Sequence, residues 1–229
     1  MVSAENINND QDQQQVISKK RVEDHGEVYT AEREVNAMLD LVKQETERIE
    51  SRFLEPACGT GNFLIEILGR KLEVVRSRYK KNQLEYERYS VLAVSSIYGI
   101  DILEDNVAEC RNRLFNLFNE KYSALYKKQS KEECKQSVRY ILDKNIIWGD
   151  ALTLSGVGEN PDPIVFSEWS PVNSSMIKRR DYAFHELLEH QKIRALPLFS
   201  DLGEDVFIPE PIKEYPVTHF MRIADVEQQ

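Results

Sequence analysis

The fold of this chain is decided by the stretch Phe53-Leu54-Glu55-Pro56-Ala57-Cys58-Gly59-Thr60-Gly61-Asn62-Phe63-Leu64. A short apolar run ends in an acid, a glycine-containing turn follows, and a long helix-forming run begins after it. This order predicts a strand, a tight turn and a helix. Gly59 and Gly61 allow backbone dihedrals closed to other residues and let a ligand approach the main chain. The helix start near Asn62 offers free N–H groups to a carboxylate or phosphate. The alternative is a strand–turn–helix whose glycines serve only packing.

The segments on both sides of this stretch are predicted to be helical. Upstream, apolar residues recur at steps of three and four over 32–49, which predicts a helix. These residues are Val35, Met38, Leu39 and Val42. Downstream, residues 63–95 form a long helical stretch. Its polar middle, RSRYKKNQLEYERY (76–89), predicts a solvated helix or a helical hairpin.

Two further short apolar runs end in an acid and predict strands. They are SIYGID (96–101) and KNIIWGD (144–150), and the amphipathic stretch 104–122 predicts a helix between them. PIVF (163–166) is a candidate fourth strand. Helices alternating with strands predict an α/β fold, a three-layer sandwich with a mostly parallel sheet.

Length, charge and cysteine content narrow the class of protein. The 229 residues suffice for one sizeable domain and an appendage. The formal net charge of −9 argues against strong independent binding to DNA, since phosphate contacts require a basic surface. The three cysteines form no CxxC pair, and the sequence shows no secretory signal and no apolar run of membrane-spanning length. A cytoplasmic location is therefore expected.

Three regions are predicted along the chain. Residues 1–20 are polar and form a disordered lead-in, and residues 21–170 form the main domain. Residues 171–229 form a helical and extended C-terminal segment that offers a partner interface. Within it, NSSMIKRRDYAFHELLEH (173–190) is predicted to be a helix with a basic start.

The full string 53–64 resembles motif I of the adenine-N6 DNA methyltransferases, a family that includes the modification subunits of restriction–modification systems. HGEVYTA (25–31) resembles motif X, with Ala31 where the family usually has proline. YGID (98–101) resembles motif II, and GDAL (149–152) resembles motif III. The resemblance covers about residues 20–155 and implies a Rossmann-like fold that binds S-adenosylmethionine. The sheet would be incomplete on its C-terminal side.

The resemblance also implies which residues bind the cofactor. In the family, motifs I and X hold the methionine part, the acid of motif II binds ribose hydroxyls, and the aspartate of motif III binds the adenine amino group. The implied residues are Tyr29, Thr30, Glu55, Pro56, Ala57, Cys58, Gly59, Gly61, Asn62, Phe63, Asp101, Ile102, Asp150, Ala151 and Leu152. Structural alternatives exist for three of them: a helix N-cap for Thr30 and for Asp101, and a turn for Asp150. We expect Asp101→Ala to weaken cofactor binding and to leave the fold intact.

The catalytic tetrapeptide of the family is missing from this chain. The family uses the pattern [DNS]-P-P-[YFW], in which the aromatic ring stacks on a flipped base. At the expected place stands SEWSPV (167–172). Its candidate catalytic residues are Ser170 and Pro171, which match half of the pattern, and Trp169, which offers a ring before them. No metal site is predicted, because His185 and His190 lie five residues apart and the zinc-protease pattern needs four.

Three functional interpretations follow from the missing motif. The chain is the cofactor-binding half of a split methyltransferase, and a second polypeptide supplies the NPPY-type motif and target recognition. Alternatively, it is a catalytically inactive cofactor-binding or regulatory subunit, or Trp169, Ser170 and Pro171 form a divergent active site. DNA is the expected partner, reached through a complex. The run Lys178-Arg179-Arg180 is either a phosphate contact or a solvated turn.

Overall fold

A computed structural model describes residues 21, 30–159, 161–173, 175–188 and 209–228 of the chain. The predicted lead-in 1–20, Tyr29 and the stretch 189–208 lie outside the described residues.

Six α-helices and eight strands have both ends within the described residues. The helices are α1 Glu32–Asp40, α2 Lys43–Thr46, α3 Asn62–Tyr79, α4 Gln83–Ser95, α5 Glu104–Tyr126 and α6 Glu132–Asn145. The strands are β1 Phe53–Glu55, β2 Ile97–Asp101, β3 Ile146–Asp150, β4 Ser155–Gly156, β5 Val165–Asn173, β6 Met176–Ala183, β7 Lys213–Glu214 and β8 Thr218–His219. No described helix is both long enough and apolar enough to cross a lipid bilayer.

The first sheet has the order β1-β2-β3-β4. β1 pairs parallel to β2, and β2 pairs parallel to β3. β4 then turns back antiparallel to β3. The predicted α/β class with parallel strands is therefore confirmed.

The helices pack on one face of this sheet. Both crossovers, β1 to β2 and β2 to β3, step in the same direction along the sheet. Because such crossovers are right-handed, their helices fall on the same side. Buried residues of α1, α3, α4, α5 and α6 accordingly form one core with Ile97 and Ile146. On α3, the buried residues include Lys71, Leu72 and Val75.

The opposite face of β2 packs against a β-hairpin. Tyr98 and Ile100 point to this face, where they contact residues of the hairpin region. The contacting residues are Ile164, Phe166 and Phe184. The third layer of the predicted sandwich therefore consists, among the described residues, of this hairpin and the helical residues 184–188 that follow it, of which Phe184 and Leu188 pack against this face.

The hairpin forms a second, antiparallel sheet. β5 pairs with β6 along its length, and β6 also pairs with the short strands β7 and β8. PIVF (163–166) was predicted to be a fourth strand of the main sheet, but only its first residue, Pro163, pairs with that sheet, through a single antiparallel bridge to Ser155 of β4. Only Val165 and Phe166 lie in a strand, β5, and that strand belongs to the second sheet.

The predicted helix over 173–190 is also wrong in its first part. Residues Met176–Ala183 form β6, and helix is present only over 184–188 of the described residues. Side chains of β6 alternate between half-buried and buried. The buried positions hold Ile177, Arg179, Asp181 and Ala183.

The other helix predictions are confirmed with different boundaries. The stretch 32–49 contains α1 and α2, which are separated by a turn at 41–42. The polar stretch 76–89 spans the turn of a helical hairpin between α3 and α4. The helix α6 was not predicted, although its buried residues recur at helical spacing. They are Cys134, Val138, Ile141 and Leu142.

Candidate cofactor site

Three acids lie at the carboxyl ends of adjacent strands of the main sheet, which we call its carboxyl edge. Glu55, Asp101 and Asp150 are the last residues of β1, β2 and β3. Because these adjacent strands are parallel, their carboxyl ends lie side by side. Open α/β sheets bind ligands at the carboxyl ends of their strands. The sequence predicted these three positions from separate motifs, and the structure brings them together.

The turn after β1 packs tightly against its neighbours. The Cys58 N–H donates to the Ile100 carbonyl at 2.9 Å, and the Gly61 N–H donates to the Cys58 carbonyl at 2.8 Å. Gly61 has φ +89°, in the left-handed region that favours glycine. A Cβ at this position would lie 2.6 Å from Cys110 Sγ on α5. The turn therefore requires glycine for both backbone conformation and space.

Asp101 is buried and is bound by three donors of the chain. The residue is 8% exposed. Oδ2 accepts from the Gly59 N–H at 2.8 Å. Oδ1 accepts from the Leu103 N–H at 2.9 Å and from the Asn106 amide at 3.2 Å. A carboxylate has about four acceptor positions, so one position on Oδ2 is left for a ligand hydroxyl.

Glu55 is half-buried at the end of β1. Burial raises the pKa of its carboxyl above the ordinary value, while the Ala57 N–H donates to it and opposes this shift. Pro56 and Ala57 next to it are exposed, so the turn presents main chain to solvent at this point.

Asp150 is half-buried and more accessible than Asp101. Its Oδ1 accepts from the Leu152 N–H at 2.8 Å, which is the turn role considered as an alternative. One such bond leaves the second carboxylate oxygen available for a ligand amine. Ala151 is half-buried and Leu152 is 94% exposed, so Leu152 offers apolar surface beside this acid. Ile102 is also exposed, and its carbonyl accepts from the Trp148 indole at 3.0 Å.

A polar network joins the turn to the predicted motif X segment. The Asn62 amide donates to the Thr30 carbonyl at 3.2 Å. Arg113 on α5 donates to the Thr60 carbonyl at 2.8 Å, and to Thr60 Oγ1 and Asn62 Oδ1 at 2.9 Å each. Thr30 is not the helix cap, since Ala31 occupies the N-cap position of α1. Sequence reasoning missed Arg113, because an isolated arginine in an amphipathic helix carries no signal.

The candidate catalytic residues lie away from these acids. Trp169 is 4% exposed, and its indole donates to Asn145 Oδ1 at 2.9 Å. Asn145 precedes β3, whereas Asp150 ends it, so the two positions are about 16 Å apart along the strand at ~3.3 Å per residue. Ser170 and Pro171 follow in β5 and pair with Lys178 and Ile177. The structure therefore does not bring Trp169, Ser170 and Pro171 together with the three acids.

The basic run 178–180 is neutralised within the hairpin. Arg179 is buried and binds the Asp181 carboxylate at 2.8 Å. Lys178 and Arg180 both pair with Glu214. The run is therefore part of a strand and not a turn, and its partly exposed cations, Lys178 and Arg180, already have an acidic partner.

The described residues contain no cluster of histidine, cysteine and carboxylate side chains that could hold a metal ion. The chain matches no protein-family model, no curated protein and no solved structure at a significant level.

Proposed function

We propose that this chain binds S-adenosylmethionine and forms the cofactor-binding part of an adenine-N6 DNA methyltransferase of a restriction–modification system. The observation that carries this proposal is the convergence of the glycine turn 58–61, Asp101 and Asp150 at one sheet edge. Each of these features separately has a structural explanation. Their convergence matches the three chemically different parts of the cofactor.

The polar groups at this edge suit each part of that ligand. The first turn of α3 offers N–H groups to the methionine carboxylate. The remaining acceptor on Asp101 Oδ2 suits a ribose hydroxyl, and the second oxygen of Asp150 suits the adenine amino group. Three carboxyl groups at one edge also favour a ligand that carries a positive sulfonium and an ammonium group.

We further propose that a second polypeptide completes the enzyme by supplying the NPPY-type motif and target recognition. Two observations support this. The strand expected to carry the motif lies in the second sheet. β1 pairs only with β2 among the described residues, so its other edge can accept a strand.

The open edge of β1 is flanked by apolar surface. Leu54 is 41% exposed on this strand, and its N–H and C=O point away from β2, since those of Phe53 point toward it. An apolar groove of about 240 Å³ runs beside the edge. Its lining includes Met38, Val42, Leu54 and Phe63. Glu55 is among the residues that line this groove, so a strand added parallel to β1 would bring its carboxyl end to the candidate cofactor site.

The second candidate function is a catalytically inactive cofactor-binding or regulatory subunit. Trp169 is buried near the amino ends of the strands of the main sheet, away from the three acids. This position favours the inactive subunit over a divergent active site. No aromatic ring of SEWSPV then reaches a base bound near Asp101 and Asp150.

Transfer of a labelled methyl group from S-adenosylmethionine to unmethylated DNA separates these candidates. The chain is assayed alone and with the product of the neighbouring gene. We expect transfer only with the second polypeptide, and we expect Asp150→Asn to reduce it. Transfer by the chain alone would contradict the split-enzyme proposal. Cofactor binding without transfer in either assay would favour the inactive subunit.

A further inference from the structure

Two acid-free stretches of the chain concentrate positive charge. Residues 74–84 contain four cations and no acid, and residues 121–131 likewise contain four cations and no acid. The cations are Arg76, Arg78, Lys80, Lys81, Lys121, Lys127, Lys128 and Lys131. On a chain with a net charge of −9 these stretches stand apart from the remaining surface.

The structure joins the two stretches at the far end of the helical layer. The first spans the turn between α3 and α4, and the second spans the end of α5 and the 3-10 helix Lys127–Gln129. The Tyr126 hydroxyl donates to the Lys80 carbonyl at 3.2 Å. The Gln83 amide donates to the Gln129 carbonyl at 2.8 Å. Two loops that are distant in sequence therefore form one continuous surface.

Most of this charge is exposed and uncompensated. Five of the cations are exposed and have no ion pair within the part of the chain that the structure describes. They are Arg78, Lys80, Lys81, Lys127 and Lys128, which we call the basic end. Three nearby acids pair with cations outside this set of five: Glu73 with Arg76, Glu85 with Arg88, and buried Glu87 with Lys131.

Two stacked tyrosines lie beside the basic end. Tyr79 and Tyr89 stack at 4.1 Å between ring centroids, with an interplanar angle of 3°. Both rings are half-buried, so they brace the helical hairpin that carries Arg78, Lys80 and Lys81. The cations are thereby presented from a fixed frame, which lowers the entropy lost when they engage a polyanion.

The basic end is separate from the candidate cofactor site. α3 begins at the glycine turn and ends at Tyr79. A helix of 18 residues is about 27 Å long, so the basic end lies about that far from the glycine turn. The basic end therefore includes neither Asp101 nor Asp150.

We propose that the basic end binds the phosphate backbone of double-stranded DNA without reading its sequence. Lysine and arginine contacts to phosphate supply most of the affinity in such binding, and they do not need base contacts. The choice of DNA as the polyanion rests on the proposed methyltransferase function. The basic end anchors duplex outside the target site, and it replaces the run 178–180 as the expected phosphate contact.

The test is fluorescence anisotropy of a labelled 20-base-pair duplex at several salt concentrations, with the full chain. The variant carries Lys80→Gln, Lys81→Gln, Lys127→Gln and Lys128→Gln. We expect it to bind at least about tenfold more weakly at low salt. Each phosphate contact contributes about 0.9 to the slope of log affinity against log salt, so the slope should fall by up to about 3 to 4.

A matched control carries Lys43→Gln, Arg48→Gln, Lys213→Gln and Arg222→Gln, four exposed cations elsewhere with the same loss of charge. It should keep the wild-type salt slope. Equal loss in both variants would overturn the proposal, as would absence of duplex binding by the wild-type chain. Preferential binding of single-stranded RNA or of an acidic peptide would overturn the choice of duplex DNA.

Calorimetric titration of both variants with S-adenosylmethionine keeps the two proposals distinguishable. The variant of the basic end should bind the cofactor like the wild-type chain. Loss of duplex binding with cofactor binding intact supports the basic end. Absence of cofactor binding in every protein would count against the proposed function, and the salt slopes would still test the basic end.

Discussion

At the residue scale, Asp101 serves the fold as well as the candidate site. Its carboxylate accepts from Gly59, Leu103 and Asn106 and thereby ties the glycine turn to the start of α5. We predict that Asp101→Ala lowers the free energy of unfolding by about 2–3 kcal/mol, because buried donors lose their acceptor. Urea unfolding measures this. Asp162→Ala, at an exposed position, is the control and should change stability by less than about 0.5 kcal/mol.

This expectation differs from the one drawn from sequence, where Asp101→Ala was expected to leave the fold intact. A loss of cofactor affinity in Asp101→Ala would combine the loss of a ligand contact with the loss of stability. Unchanged stability of Asp101→Ala would show that the three hydrogen bonds are not maintained in solution.

Asp150 gives the cleaner test of cofactor contact. Asp150→Asn keeps an oxygen that can accept from the Leu152 N–H, and replaces the second oxygen with an amide that cannot accept. We predict about tenfold weaker binding of S-adenosylmethionine, since a hydrogen bond to a charged group contributes about 1.5 kcal/mol or more. Calorimetry measures the affinity, and Asp162→Asn is the control. Equal affinity in wild type and Asp150→Asn would remove Asp150 from the adenine role.

Gly61 couples the turn to α5 through Cys110. Gly61→Ala combines a left-handed backbone with a Cβ 2.6 Å from Cys110 Sγ. We predict a loss of stability of about 2–4 kcal/mol, the sum of backbone strain and overpacking. Adding Cys110→Ala removes the sulfur, and the nearest atom is then Cys110 Cβ at 3.5 Å.

The double variant should therefore recover part of the loss, and unfolding of all four proteins gives the coupling energy. Additive effects would show that the turn does not contact α5 as described.

At the scale of elements, Lys71 on α3 binds the segments that lead into two strands. Its ammonium group donates to the carbonyls of Ile49, at 3.2 Å, and Ser51, and to Ser96 Oγ at 2.6 Å. These acceptors precede β1 and β2. Burial lowers the pKa of Lys71 to about 7, from an ordinary value of 10.5.

This pKa predicts that stability rises with pH. Above pH 7 the folded chain loses a proton at Lys71, while the unfolded chain keeps it up to its ordinary pKa. The unfolded state then binds more protons, so the free energy of unfolding increases with pH. We expect a rise on the order of 1–2 kcal/mol between pH 7 and 9.

The measurement stops at pH 9 so that ionisation of the buried tyrosines does not affect the stability. Burial raises the pKa of Tyr86 to about 12 and that of Tyr98 further, so folding opposes their ionisation at higher pH. Unfolding in urea at each pH measures the rise. Lys71→Met should lower stability and flatten the pH dependence. A slope that is the same in both proteins would contradict a buried Lys71 with a lowered pKa.

The elements also show which features the sequence could predict. The strings FLEPACGTGNFL, SIYGID and KNIIWGD each hold a complete strand-to-turn signal, so β1, β2 and β3 were predicted together with their terminal acids. β6 was not predicted, because its buried positions include Arg179 and Asp181. These charges pair inside the hairpin and break the alternation of apolar residues by which a half-buried strand is recognised.

The candidate site was predictable only in part for a similar reason. Motif strings identify residues that are contiguous in sequence, such as Gly59 and Gly61. Arg113 acts on the same turn from 51 residues beyond Asn62, and only the packing of α5 against α3 reveals it.

At the scale of the whole molecule, the candidate cofactor site and the hairpin lie at opposite ends of the strands of the main sheet. The carboxyl edge of β1-β2-β3 carries the candidate cofactor site, and the amino edge holds the hairpin through Trp169 and Asn145. The open edge of β1 and the apolar groove beside it lie between these surfaces and offer a place for a second polypeptide. The proposed function would then place cofactor binding and catalysis on different chains.

Calorimetric titration of the wild-type chain with S-adenosylmethionine is the most direct measurement. We predict saturable binding at one site per chain, with S-adenosylhomocysteine competing for that site and ATP not competing at the same concentration. Absence of saturable binding at millimolar S-adenosylmethionine, in a chain that unfolds cooperatively, would contradict the assignment of the sheet edge around Asp101 and Asp150 as a cofactor site.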